Sequence, residues 1–167
     1  MAHRVTQMQS SLASRSIRTP VGKTAATRSS LQYCGHVLTQ QVADILHGKL
    51  AEEPHRRGIY IVRDGDIVLY VGKTERGVSR SVLKHCGIGA DGAPPDQLGQ
   101  LIIENAPESG NWQVEFLSPK NCAPYVGRSF MKIDIHNAER AIINHFRPCL
   151  SDTKDTNLPG LPERYRR

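Results

Sequence analysis

Four side chains of this sequence have a type and spacing that would do chemistry if the fold brought them together: Tyr60, Tyr70, Arg80 and Glu139. Tyr60 closes Gly58-Ile59-Tyr60, Tyr70 opens Tyr70-Val71-Gly72 ten residues later, and Arg80 follows after ten more. An arginine on a helix directly after a strand is placed to clamp a phosphate and to stabilise negative charge growing on it. Lys73, at the end of that strand, adds a point charge. Arg76 competes with Arg80 for this role. Glu139 precedes Ile142, Ile143 and Phe146 at plus three, four and seven, so its carboxylate lies on the apolar stripe of a helix. A charge there needs compensation, which either a divalent cation or a paired arginine supplies. Taken singly, without their flanking glycines, the tyrosines read rather as strand core and the basic residues as solvated helix surface.

The elements that must position these groups follow from local pattern. Thr39 is expected to cap a helix reaching Glu52, with Val42, Ile45, Leu46 and Leu50 as its stripe and Pro54 ending it. Gly58–Val62 and Ile67–Gly72 read as two strands of a hairpin around the Asp64-Gly65 turn signal. If the two tyrosines share a face, Tyr60 is expected opposite Tyr70. That register requires the three-residue loop Asp64-Gly65-Asp66 or a bulge, because a plain two-residue loop sends the rings to opposite faces. A basic helix over about Arg76–His85 comes next, then a Gly, Ala and Pro-rich loop at 86–95. Asp96 caps a further helix carrying Leu98, Leu101 and Ile102, Trp112–Leu117 alternates as a third strand, and a last helix runs from about Asn137 to Phe146 before Pro148. Residues 118–134 give no clear pattern. The expected class is α/β in the α+β sense: a small three-stranded antiparallel sheet flanked by helices. The chain divides into a basic arm at 1–35, expected to be disordered, a helical extension at 36–56, a domain at 57–151 and a polar, basic tail at 152–167.

Composition narrows the partners. The chain has 167 residues, 22 Lys and Arg against 16 acids, and a pI of about 9.4, which favours a polyanion. The first thirty residues carry Arg4, Arg15, Arg18, Lys23 and Arg28 without an acid; they read as a solvated tail, as an arm touching phosphates or as an organelle transit peptide. Cys34, Cys86, Cys122 and Cys149 form no CxxC pair, which argues against structural zinc and for reduced thiols in a cytoplasmic setting. No apolar run is long enough to span a bilayer. Gly22-Lys23-Thr24 and Gly72-Lys73-Thr74 resemble phosphate loops, but the position five residues before each holds Ile17 or Ile67 in place of glycine, so Walker-type nucleotide hydrolysis is rejected.

Gly58-Ile59-Tyr60, Tyr70-Val71-Gly72, Arg80 and Glu139, in this order and on these elements, resemble the defining motif of the GIY-YIG nuclease family over about residues 57–151. Tyr125-Val126-Gly127 has no partner strand ten residues earlier and is set aside as coincidence. The resemblance implies a DNA endonuclease using one divalent cation, Mg2+ or Mn2+, with Glu139 as its protein ligand and water and phosphate oxygens completing the shell. It implies that Tyr60 serves as or through the general base, although a free tyrosine has a pKa near about 10 and needs cationic neighbours such as Arg80 and Lys73. Tyr70 would orient phosphate or water, Lys73, Arg76 and Arg80 would hold the substrate, and His85 would assist proton transfer or merely meet the helix dipole. The family commonly carries Pro-x-x-Asn after the glutamate helix. This chain has Pro148-Cys149-Leu150-Ser151, leaving Ser151, or Asn157 folding back, to take that place. The competing readings are a nucleic-acid-binding module on the same scaffold without catalysis and, behind it, a protein-interaction domain with an incidental basic surface. One centre cutting both strands needs two visits or a dimer.

Overall fold

A computed structural model describes residues 37–49, 57–89, 92–127, 133–151 and 158–165. The expected basic arm, Leu50, Glu52 and Asn157 lie outside these residues. The described elements are β1 (Leu38–Gln41), α1 (Val42–Leu46), β2 (Gly58–Asp64), β3 (Ile67–Thr74), α2 (Val78–His85), α3 (Gln97–Glu104), β4 (Gln113–Leu117), α4 (Ala123–Val126) and α5 (Ile135–Phe146). They form a mixed α+β fold whose antiparallel sheet has four strands, not three, in the order β1-β4-β2-β3.

The added strand corrects the first expected helix. Leu38–Gln41 pairs with Phe116–Gln113 as a strand, so Thr39 sits in a ladder and caps nothing, and the helix is only the turn Val42–Leu46. Of its expected stripe Val42 and Ile45 are fully buried, whereas Leu46 is exposed and Leu50 lies outside the described residues. The edge of β4, however, offered backbone partners to the residues before it, and those bonds outweigh a weak local helix preference. Residues 118–134, unreadable in sequence, contain a 3-10 turn at Pro119–Cys122 and the short α4.

β2 is the inner strand of the hairpin and is buried on both faces, which accounts for its unbroken run Ile59, Tyr60, Ile61, Val62. Alternation sorts the sheet's side chains into two cores. Tyr60, Val62, Leu69, Tyr70, Val114 and Phe116 pack with α1, α2 and α3. Ile59, Ile61, Val68, Val71 and Leu117 pack on the other face with Ile135, Ala138, Ile142 and Ile143 of α5. The hairpin turn is Gly65-Asp66, two residues, with Asp64 paired to Ile67 and Gly65 at φ 57°. Continued straight, that register would place the tyrosines on opposite faces. A bulge resets it: Arg63 pairs with Val68 but Val62 pairs with Tyr70, leaving Leu69 as the extra residue. Tyr60 therefore faces Gly72 rather than Tyr70, and the two rings are diagonal neighbours on one face, 5.7 Å apart. The shared face was expected; the direct opposition was not observed.

After α5, Arg147 adopts a left-handed φ of 51° and the chain turns back along the free edge of β3. Cys149 N–H donates to Val68 O (3.0 Å) and Leu150 N–H to Leu69 O (2.8 Å). The stretch expected as a polar tail also contributes to the core. Tyr165 is buried edge-on against Trp112 and donates to Asp64 Oδ2 at 2.5 Å, while Arg164 binds the same oxygen at 2.9 Å, so the C-terminal turn staples the hairpin tip.

These burials fix a pH response. Burial pushes the Cys86 thiol up to about 11 and Cys122 to about 12 from an ordinary 9.0. Burial, then the bond to Asp64, pushes the Tyr165 phenol to about 12 from 10.0. All three stay protonated in the folded chain where the unfolded chain releases the proton. Their contribution is therefore complete below about pH 9 and is lost as pH rises through 9 to 12. Urea midpoints are expected to hold level from pH 7 to 9 and fall steadily above it, the fall being shallower above pH 10 in Tyr165→Phe. A midpoint unchanged at pH 11.5 contradicts the burial of these groups.

Candidate active site

α2 presents two functional faces because of its spacing. Val78, Val82 and His85 form its buried stripe, and Arg80 and Lys84 lie exposed on the other side. Thr74 orders the entry into this helix: its buried hydroxyl donates to Gly77 O (3.0 Å) and accepts the Arg76 N–H (3.2 Å). One helix thus sends an imidazole into the first core and a guanidinium to the surface.

Inside, the imidazole meets both tyrosines. Tyr60 Oη and His85 Nε2 are 2.5 Å apart, and the His85 ring lies 5.1 Å from the Tyr70 ring, edge-on. The other ring nitrogen, Nδ1, is held by the carboxylate of Asp96. Asp96 was legible only as a cap, a role it also performs by accepting the N–H groups of Leu98 and Gly99. Its second oxygen has no signature in the sequence, because the cap pattern is complete without it.

The motif glycines have a steric reason. A Cβ on Gly72 would lie 2.6 Å from Tyr70 Cε1 and 2.7 Å from Tyr60 Oη; one on Gly58 would lie 2.4 Å from Leu117 O and 2.6 Å from the Phe116 ring. The Tyr60 hydroxyl lies over Gly72 because nothing projects from that residue.

Outside, an open groove of about 810 Å³ is lined by Lys73, Arg76, Arg80 and Lys84, with Glu75 as its acid. Lys73 stands directly opposite Ile59 and so points to the second face. There its Nζ binds Glu139 Oε2 at 2.8 Å. Glu139 is 5% exposed on the α5 stripe, where its helical spacing placed it. The compensation for its buried charge is an ammonium, neither of the partners weighed from sequence.

The candidate residues therefore gather as two groups and not as one cluster. Tyr60, Tyr70 and His85 lie on the first face of the sheet; Lys73 and Glu139 lie on the second. Gly72 and Lys73, neighbours at the end of the edge strand β3, join them. Ser151 follows Leu150, which runs parallel to β3 at Tyr70, so the chain there heads toward this same strand end.

The Glu139 carboxylate could hold a hard divalent cation. Among the described residues no three His, Cys, Asp or Glu side chains come together, so the carboxylate would hold the ion largely with water and phosphate oxygens. A hard cation that keeps most of its waters accepts such a donor set. The Lys73 side chain that meets this carboxylate is 37% exposed.

No family model, curated protein or solved structure matches this chain. Among the described residues no helix is long and apolar enough to cross a membrane.

Proposed function

We propose that this protein is a metal-dependent DNA endonuclease of the GIY-YIG type, with its centre at the end of β3. The observation that carries the reading is one juxtaposition. The motif tyrosines are packed against a histidine on one side of Gly72, and a lysine–glutamate pair opens beside a cationic groove on the other. A phosphodiester lying along the groove would meet Lys73, Arg76 and Arg80 as counter-charges. Lys73 would exchange Glu139 for a phosphate oxygen, releasing the carboxylate to hold Mg2+ or Mn2+. Bound there, the ion would polarise the phosphate and stabilise the leaving oxygen. Tyr60, hydrogen-bonded to His85, would take a proton from an attacking water. Tyr70 would orient the phosphate, and Ser151, the nearest polar residue along the β3 edge, would take the place of the family asparagine.

Plasmid incubated with the protein, with magnesium or with chelator, tests this directly: nicking and linearisation are expected only with the metal. Arg80→Ala is expected to lower the cleavage rate about 10²- to 10³-fold. Because Arg80 is exposed, its melting temperature should stay within about 2 °C of wild type. A large melting shift with a proportionate loss of rate would make Arg80 a structural residue.

A second reading is favoured by one specific observation. Glu139 is already satisfied by Lys73, and the tyrosines stand on the opposite face, which suits a nucleic-acid-binding module without catalysis. Salt-sensitive DNA binding with no cleavage in either metal selects that reading.

A further inference from the structure

Asp96 uses its two carboxylate oxygens for different tasks. Oδ1 accepts the N–H groups of Leu98 and Gly99, both at 3.1 Å, and starts α3. Oδ2 is hydrogen-bonded to His85 Nδ1. A main-chain bond runs beside this contact, Asp96 N–H donating to the His85 carbonyl at 3.1 Å. The approach is close because residue 99 is glycine; a Cβ there would overlap the same carbonyl oxygen at 1.8 Å. The helix start is therefore docked on the last residue of α2 by backbone and side chain together.

The bond has a chemical consequence. An ionised carboxylate only accepts hydrogen bonds, so Nδ1 carries the hydrogen. In neutral imidazole Nε2 is then bare, and it faces the Tyr60 hydroxyl at 2.5 Å. The phenol must be the donor. Tyr70, edge-on at 5.1 Å, closes the imidazole in from the side.

We propose that Asp96 is the positioning residue of a Tyr60–His85–Asp96 proton relay, holding His85 as the Nδ1–H tautomer so that Nε2 can take the Tyr60 proton. The consequence for cleavage rests on the nuclease reading; the tautomer does not. In the relay the Tyr60 O–H bond breaks, its electron pair stays on oxygen, and an N–H bond forms at Nε2, giving a phenolate and an imidazolium paired with Asp96. The phenolate takes a proton from water as the water oxygen bonds to phosphorus. The bond from phosphorus to the leaving oxygen breaks, that oxygen takes a proton from solvent, and His85 returns its extra proton to solvent.

Asp96→Asn separates the two tasks. Asparagine is as good a cap as aspartate, and its only acceptor oxygen is claimed by Leu98 and Gly99. Its NH2 group is left facing Nδ1. A donor there forces Nδ1 bare and moves the hydrogen to Nε2, where it blocks the phenol. Nitrogen-15 spectra of labelled histidine, with His85 assigned through His85→Gln, report the tautomer. The expected result is mainly Nδ1–H in wild type and mainly Nε2–H in Asp96→Asn, with cleavage down about 10²- to 10³-fold and little change in melting. An unchanged tautomer overturns the assignment, as does a switched tautomer with an unchanged rate. If Asp96→Asn fails to fold, the wild-type spectrum decides, since Nε2–H there overturns the relay and Nδ1–H supports it. A switched tautomer in a protein whose wild type cuts nothing supports Asp96 in this role and sinks the nuclease reading instead.

Discussion

Glu139→Gln is expected to abolish magnesium-dependent cleavage, by about 10³-fold or more, while DNA affinity changes by less than about threefold. The substitution keeps size and one acceptor oxygen, so Lys73 retains a hydrogen bond, but it removes the anion a cation would need. On the nuclease reading, binding would reside elsewhere, in Arg76, Arg80 and Lys84 along the groove. Because Glu139 sits in the α5 core and Lys73 is partly open to water, loss of the charge pair should leave a folded protein. Rates on supercoiled plasmid and affinities by fluorescence anisotropy, measured on one preparation, separate the two properties. Wild-type cleavage by Glu139→Gln in magnesium removes the metal assignment. A fall in affinity as steep as the fall in rate would mean that Glu139 acts by arranging the groove.

The largest stability loss is expected at Gly99. Alanine normally stabilises a helix relative to glycine by about 1 kcal/mol. Here the sign should reverse, because the new methyl would stand 1.8 Å from the His85 carbonyl oxygen and 2.9 Å from Cys86 Cα. Neither atom belongs to a side chain that can rotate away, so α3 must back off α2. A loss of about 3 kcal/mol, at the top of the usual range for overpacking, would lower the melting temperature by about 10 °C. Gln100→Ala, one residue on and exposed, is the control and should melt close to wild type. If Gly99→Ala melts higher than wild type, the close docking of the two helices is wrong.

Where the sequence spoke clearly, it did so through periodicity and caps. The hairpin, the Asp96 cap and the apolar stripe of α5 all rest on local spacing, and each is present. What it concealed depended on partners distant in the chain. Leu38–Gln41 became a strand because β4 was there to pair with it, a fact held some seventy residues away. The tyrosines were expected on one face, but the device that puts them there, an extra Leu69, leaves no mark in a run of apolar residues. Glu139 was recognised as a charge needing compensation, and its partner Lys73 was already singled out as a substrate contact; their pairing is visible only once α5 is laid against β3. Asp96 went unnoticed as anything but a cap. Its link to His85 is a tertiary contact between the end of one helix and the start of the next, and no spacing rule encodes it.

The steric role of Gly58 and Gly72 bears on how kinship with this chain should be judged. Both are empty of side chain because aromatic rings and a neighbouring strand fill the space, and that need would persist in a descendant that kept none of the proposed catalytic groups. A shared pair of glycine–tyrosine triplets therefore certifies a scaffold and says little about turnover. Whether a related chain has the activity proposed here would be better read from its counterparts of Arg80 and Glu139, which the packing of the tyrosine rings does not require.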